Sequence, residues 1–383
     1  MTENTAADKL NLMRVFYDLT KASISFDIVH FLAMADTNRR MQGFDGLHFI
    51  LIAPSDFGDE RIHWRIGNII MPVLPMLPAC KKITICSERE QVREILTTDT
   101  SPVYPENYRV DDPPSSGCEM YRLMLPAYLG AETSSISAPE LALKYADDWI
   151  SANSGGRKVI SFTVRALDGR KEKNSNLDIW FQLAHELEAD GYFPVFLKDH
   201  EVNYANPAYE GFASFPQAVA NVQLRTGFYE RCYLNLFSPN GPSELCWVNG
   251  GVRYILFGMI NCRSEGEVER PHVLGEHGFR FGDQLPFARP YHKWVWEPDS
   301  LDLMRAETYQ MLDAIEASEE EALGRGPLIP RVKLENLVDI ISTFREFGND
   351  ACADFLGEFF NNDYMGKIED DTPSAAAKSL SVQ

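Results

Sequence analysis

The chain has 383 residues, 45% of them hydrophobic and 11% aromatic, with a formal net charge of −20. That length exceeds one ordinary core and predicts two domains plus extras. The charge argues against nucleic acid or an anionic membrane as main partner, since both need a cationic face. A local basic pocket for a nucleotide remains compatible with it.

No run of about 18 apolar residues occurs, so no transmembrane segment is expected. The start, Met1 to Lys9, lacks the basic-then-apolar order of a signal peptide, and a cytoplasmic location is the reading. The seven cysteines form no C-x-x-C pair and read as buried free thiols rather than zinc ligands or disulfides.

Along residues 10–153 the pattern is strand, helix, strand, in the order Val15–Leu19, 25–42 and Leu47–Ala53. Such a unit of about 40 residues implies a parallel pair. A Pro-interrupted helix over Arg65–Leu77 follows, then a strand at Lys82–Ser87 and a helix at Glu88–Leu96. Residues 99–117 read as loop, and helices are predicted at Glu119–Leu129 and Ala138–Ser151, the second capped by Ser137.

Ser154-Gly155-Gly156 marks a boundary, and residues 157–300 start the pattern afresh. Strands are predicted at 158–165, Tyr192–Lys198, Cys232–Phe237 and Val252–Phe257, with helices at Leu177–Asp190, 216–230 and Ser243–Asn249. Residues 301–366 form a helical C-terminal extension, beginning with Leu301–Ala317, and 367–383 read as a disordered tail. The fold class is α/β: two Rossmann-like, doubly wound parallel-sheet domains facing a cleft.

Candidate chemistry lies at the carboxyl ends of strands, where ligands of open α/β sheets bind. Arg165 ends one strand and can fork onto phosphate oxygens, or pair with Asp168. Arg170, Asn174, Ser175 and Asn176 follow it, and Ser175 or Asn176 is expected to cap the next helix. Ser238-Pro239-Asn240-Gly241-Pro242-Ser243-Glu244 repeats the device one crossover later, with free N–H groups of Gly241, Ser243 and Glu244 expected at the crevice. In the first domain, Asp18 and Asp27 flank the loop after the first strand, where a carboxylate can act as general base. For Asp27 the helix dipole alone also accounts for a first-turn acid, and Asp18 equally suits a strand-end turn. No Walker loop, G-x-S-x-G, H-E-x-x-H or Rossmann G-x-G-x-x-G occurs.

Over about residues 14–320 this pattern resembles the GT-B class of glycosyltransferases. Thr163-Val164-Arg165 with the Asn174-Ser175-Asn176 helix start resembles the donor-side loop of its fucosyltransferase-like and heptosyltransferase-like branches. Ser238–Leu245 is similar to their helix that cradles the donor diphosphate, and the resemblance places Lys198 and Asp199 near the donor base. The heptosyltransferase Asp-Ser/Thr-Gly-x-x-His pattern is absent, and no Glu-x7-Glu pair surrounds Glu244, which favours inversion.

The resemblance implies metal-independent transfer of a sugar from a nucleotide-sugar donor to a carbohydrate or glycan-type acceptor hydroxyl, with no cofactor. The alternatives are a nucleotide-sugar epimerase using Glu244 or His272, and a non-catalytic interaction module. The helices at 332–360 suit association, including a homo-oligomer.

Overall fold

A computed structural model describes residues 10–54, 59–115, 121–128, 131–165, 174–198, 211–259, 279–319 and 342–346. The predicted helices at 332–347 and 350–360 and the tail at 367–383 therefore lie wholly or largely outside the described residues.

The first sheet contains β1 (Leu12–Asp18), β2 (Gly46–Ile52), β3 (Cys80–Cys86) and β4 (Val103–Tyr104) in the order β3-β2-β1-β4. All three pairings are parallel. Every residue of β2 is buried, as expected of a strand covered on both faces. Helix α1 (Asp27–Gln42) returns from β1 to β2 and ends at Gly43, whose φ of 75° gives a left-handed stop.

After β2 the chain runs through α2 (Glu60–Arg65), a π-turn (Ile66–Ile70) and α3 (Met71–Val73). The prolines at 72 and 75 are absorbed by changing the turn type, so the segment stays helical. Then α4 (Arg89–Thr98) precedes β4, and α5 (Tyr121–Tyr128) and α6 (Glu140–Asn153) complete this half.

The second sheet holds β5 (Val159–Val164), β6 (Phe193–Lys198), β7 (Ala213–Ser214), β8 (Leu234–Phe237), β9 (Tyr254–Leu256) and β10 (His292–Trp294). Its order is β10-β9-β8-β5-β6-β7, all parallel. Counted from β5 this is the 3-2-1-4-5-6 order of a Rossmann domain, with its switch point between β5 and β8. The intervening helices are α7 (Leu177–Ala189), α8 (Gln217–Ala220), α9 (Val222–Arg231) and α10 (Glu244–Trp247); α11 (Leu301–Glu319) follows β10.

Several expectations are corrected. The loops contain β4, β7 and β10, which are two or three residues long and too short for a pattern. The helix expected over 216–230 breaks at Asn221, which is extended and whose side chain caps α9 through Leu224 N–H at 3.0 Å. Pro139, not Ser137, occupies the cap position of α6.

One hydrophobic cluster spans both halves, joining Val15, Leu32 and Leu74 to Phe228, Phe237 and Leu245. Helices α6 and α9 meet inside it at backbone distance. A Cβ on Gly227 would stand 2.7 Å from Ala142 O, which explains a glycine in mid-helix despite its cost of about 1 kcal/mol.

Two histidines are buried and neutral. His48 reaches Thr84 Oγ1 at 2.8 Å, and His292 Nε2 reaches the Val252 carbonyl at 2.8 Å. Burial lowers both from the ordinary 6.5 to about 4.

Two expectations follow for stability. Gly227→Ala should lower the unfolding free energy by about 1–3 kcal/mol in urea titration, by forcing α6 from α9. Gly67→Ala, where a Cβ meets nothing within 4 Å, should be neutral or stabilising. For pH, the unfolded chain binds protons at His48 and His292 below 6.5 while the folded chain does not. Stability present above pH 6.5 is therefore lost as pH falls towards 4, by up to about 3 kcal/mol per histidine. His292→Gln, which retains a donor for Val252 O, should flatten that slope in urea titrations at pH 7, 6 and 5.

Candidate functional site

The carboxyl ends of β1 and β5 open towards a cavity of about 280 Å³ between the two sheets. From the first half it is lined by Ser25, Phe26 and Asp27 at the start of α1, and by Trp64, Arg65 and Asn68 of α2 and the π-turn. From the second half come Arg165, Arg225, Gly241 and Glu244. The two sides touch: a Cβ on Gly241 would lie 2.7 Å from Phe26 Cδ2. Only a residue without a side chain lets the Phe26 ring approach so closely.

Arg165 follows β5 directly, at the switch point. Its Nη1 donates to Pro239 O at 3.1 Å, which ties it to the loop after β8. Its Nε is buried and has no hydrogen-bond partner among the described residues. A buried guanidinium nitrogen without an acceptor is a costly arrangement unless a ligand supplies one. Ser175 lies beneath it and serves its backbone, accepting from Arg165 N–H at 2.9 Å and donating its own N–H to Arg165 O at 2.9 Å.

Ser175 therefore does not cap α7, and Asn176 at the cap position makes no side-chain cap bond either. Asn174 precedes them and is not among the cavity-lining residues. Arg170 and Asp199 lie outside the described residues.

In the loop after β8, Asn240 Oδ1 accepts from Ser243 N–H at 3.0 Å, and Ser243 Oγ donates to Asn240 O at 2.7 Å. The Glu244 N–H is directed at Gly241 and Pro242 carbonyls. Two of the three amides expected to be free are thus used to build the turn. Ser238 is buried, and its Oγ has no hydrogen-bond partner among the described residues.

Glu244 crosses to the first domain, its Oε2 standing 3.1 Å from Nε2 of the fully buried His30. Burial raises the Glu244 carboxyl, His30 opposes that rise, and the Asp27 charge adds to it. The His30 ring packs on Trp247 with centroids 5.0 Å apart.

Asp18 has a different place from the one expected. It is 1% exposed and held by the Arg89 guanidinium, by Thr20 Oγ1 at 2.7 Å and by Tyr108 O–H at 3.1 Å. That network joins β1 to α4 and to the loop after β4, and Asp18 does not line the cavity. Lys198 also stands apart, its ammonium lowered by burial and its carbonyl accepting from Arg225 Nη2 at 2.6 Å.

The sequence reading missed Arg225, Arg65 and Asn68. Arg225 Nε donates to Ala218 O at 2.7 Å and Nη1 to Tyr229 Oη at 3.0 Å, so its fork binds α8, α9 and the end of β6 together. An arginine within an otherwise buried helix was the available signal. Arg65 and Asn68 sit three residues apart on one helical face, and Arg65 Nη1 donates to Ile24 O at 3.2 Å. Among the described residues, no group of three or more His, Cys, Asp or Glu is placed to hold a metal ion.

No protein-family model matches the chain, and no curated protein matches it in sequence. Among solved structures, it is similar to the glycosyl transferase family 9 from Veillonella parvula DSM 2008, at 13% identity and a TM-score of 0.45 over 90% of this chain and 97% of that one. It is also similar to E. coli ADP-heptose lps heptosyltransferase II, at 11% identity and a TM-score of 0.45 over 81% and 99%. A third is E. coli heptosyltransferase WaaC with ADP-2-deoxy-2-fluoro heptose, at 13% and 0.40 over 79% and 100%. The chain's own architecture is two parallel α/β sheets whose strand carboxyl ends face one cavity.

The two arginines should separate in experiment. Arg225→Met strands three acceptors and should cost about 3 kcal/mol or more in urea unfolding. Arg165→Ala removes one side-chain bond among the described residues and should change stability by no more than about 1 kcal/mol.

Proposed function

We propose that the chain transfers a sugar from a nucleotide-sugar to an acceptor hydroxyl in the cleft between its two sheets, with inversion and without a metal ion. The observation that carries this reading is the pairing within one cavity of Arg165, whose Nε lacks an acceptor, and Asp27 from the opposite domain.

The donor diphosphate would lie at the switch point of the second sheet, against the Arg165 guanidinium and the backbone at Gly241. Arg65, which lines the same cavity, adds positive charge from the other wall. The acceptor would enter from the first domain. Asp27 takes the hydroxyl proton as the oxygen attacks the anomeric carbon. The bond from that carbon to the diphosphate oxygen breaks, and the leaving nucleoside diphosphate keeps the electron pair. Arginine held in a fixed place stabilises that charge without reorganisation. Glu244, kept in register by His30, stands where it can meet the sugar hydroxyls.

Calorimetric titration with UDP, GDP, ADP and dTDP, and with their sugar conjugates, tests the donor site. At least one nucleotide should bind, and Arg165→Ala should weaken it by about tenfold or more. Asp27→Asn should leave nucleotide affinity intact and slow transfer by about 10²–10⁴-fold. A folded protein that binds none of these nucleotides would sink the assignment. If the sugar conjugate is turned over to its epimer instead of being transferred or hydrolysed, the chain is an epimerase.

A further inference from the structure

The amino ends of the second sheet's strands lie at the edge away from the cleft. There this acidic chain gathers cations. Arg157 and Lys158 lead into β5, Arg231 closes α9 ahead of β8, and Arg253 leads into β9. Because β9, β8 and β5 are neighbours, the four converge on one cavity of about 410 Å³. Six residues of β5 separate it from the cleft, which is roughly 20 Å of strand.

One carboxylate, Glu230, lines the same cavity, and its Oε1 accepts from Ala138 N–H at 2.6 Å and Asn249 Nδ2 at 2.7 Å. Among the described residues, Arg157 stands 3.9 Å from Glu188, Lys158 3.3 Å from Glu316 and Arg231 2.8 Å from Asp147, while Arg253 Nη1 donates to Tyr233 O at 3.5 Å. Those carboxylates are 45%, 52% and 53% exposed. Ion pairs so open to water contribute no more than about 1 kcal/mol each, so an incoming anion can displace them at little cost.

Tyr233 organises the site. Lys158 Nζ lies 4.1 Å from its ring centroid and Arg253 Cζ lies 5.3 Å away, both within reach of the ring's negative face. Tyr233 itself is only 9% exposed, and its hydroxyl has no hydrogen-bond partner among the described residues.

We propose that this cavity is a second anion site, which takes a phosphate-bearing ligand on the side of the sheet away from the cleft. A phosphate group suits it because its oxygens can be met by an ammonium and by the guanidinium fork together. The volume matches a compact small molecule rather than a macromolecular surface. The same group can come from a soluble phosphorylated metabolite or from a lipid headgroup.

Inorganic pyrophosphate is titrated calorimetrically into the full chain carrying Arg165→Ala, which weakens the cleft site, and dependence on Lys158 and Arg253 assigns the binding to the second cavity. One saturable site is expected, weakening as salt rises. Lys158→Gln and Arg253→Gln should each weaken it about tenfold, with urea midpoints measured alongside to show that both variants fold. Cosedimentation with phosphatidic-acid vesicles forms the second arm. Pyrophosphate binding that depends on both residues supports a soluble ligand, and vesicle binding with the same dependence supports a lipid-borne phosphate. Absence of both, or binding that neither substitution weakens, overturns the proposal.

Discussion

The geometry of the cleft depends on the contact between the Phe26 ring and the backbone at Gly241. A Cβ at that glycine would collide at 2.7 Å, so the distance between the two domains is fixed by van der Waals contact. Phe26 immediately precedes Asp27, and Gly241 stands three residues before Glu244. The same contact therefore sets how far the two cleft carboxylates lie from each other and from Arg165. The His30–Glu244 pair reinforces the spacing from deeper in the interface. With a continuous apolar cluster behind both, the domains meet through a packed core rather than through a linker alone.

Charge is distributed unevenly against this frame. A chain of net charge −20 repels anions over most of its surface, so an anionic ligand needs a place where cations are concentrated and partly shielded from solvent. Arg225 and Arg165 border the same cavity but are used differently. Arg225 is 2% exposed, and its three donors go to Ala218, Tyr229 and Lys198, so its charge is fixed and structural. Among the described residues, Arg165 is anchored through Nη1, to Pro239 O. One arginine shapes the wall and the other leaves hydrogen-bonding capacity for what enters.

The elements legible in the sequence were those with a long, regular signal. β1, α1, β2, β5, α7 and β6 were found within a few residues, because a buried parallel strand is a continuous apolar run and Gly43 and Gly191 stop the helices. β4, β7 and β10 were not, since two or three residues joined by tertiary pairing leave no local pattern. The position of Arg165 at the carboxyl end of a strand was legible because it directly follows the apolar run of β5, whereas its place at the switch point appears only in the strand order. Asp18 was misread because its partner Arg89 lies 71 residues away, and no local feature distinguishes a strand-end base from a buried anchor. Ser175 was misread for a related reason: its hydroxyl serves the Arg165 backbone ten residues earlier instead of its own helix.

The two ends of the second sheet also differ in ways that bear on their cations. At the carboxyl end, outgoing connections diverge at the switch point, and Arg165 occupies the crevice this creates. At the amino end, helices arrive by their negative termini, which favour a basic last turn. That accounts for Arg231, the basic residue in the last turn of α9. Arg157 serves a helix end as well, its Nε donating at 3.1 Å to the carbonyl of Ser154 that caps α6, whereas Lys158 and Arg253 follow turns. Lys158 and Arg253 are joined instead through one tyrosine ring. The ring brings the two cations together while Glu316, 3.3 Å from Lys158, offsets part of their charge, and a bound anion would add to that offset.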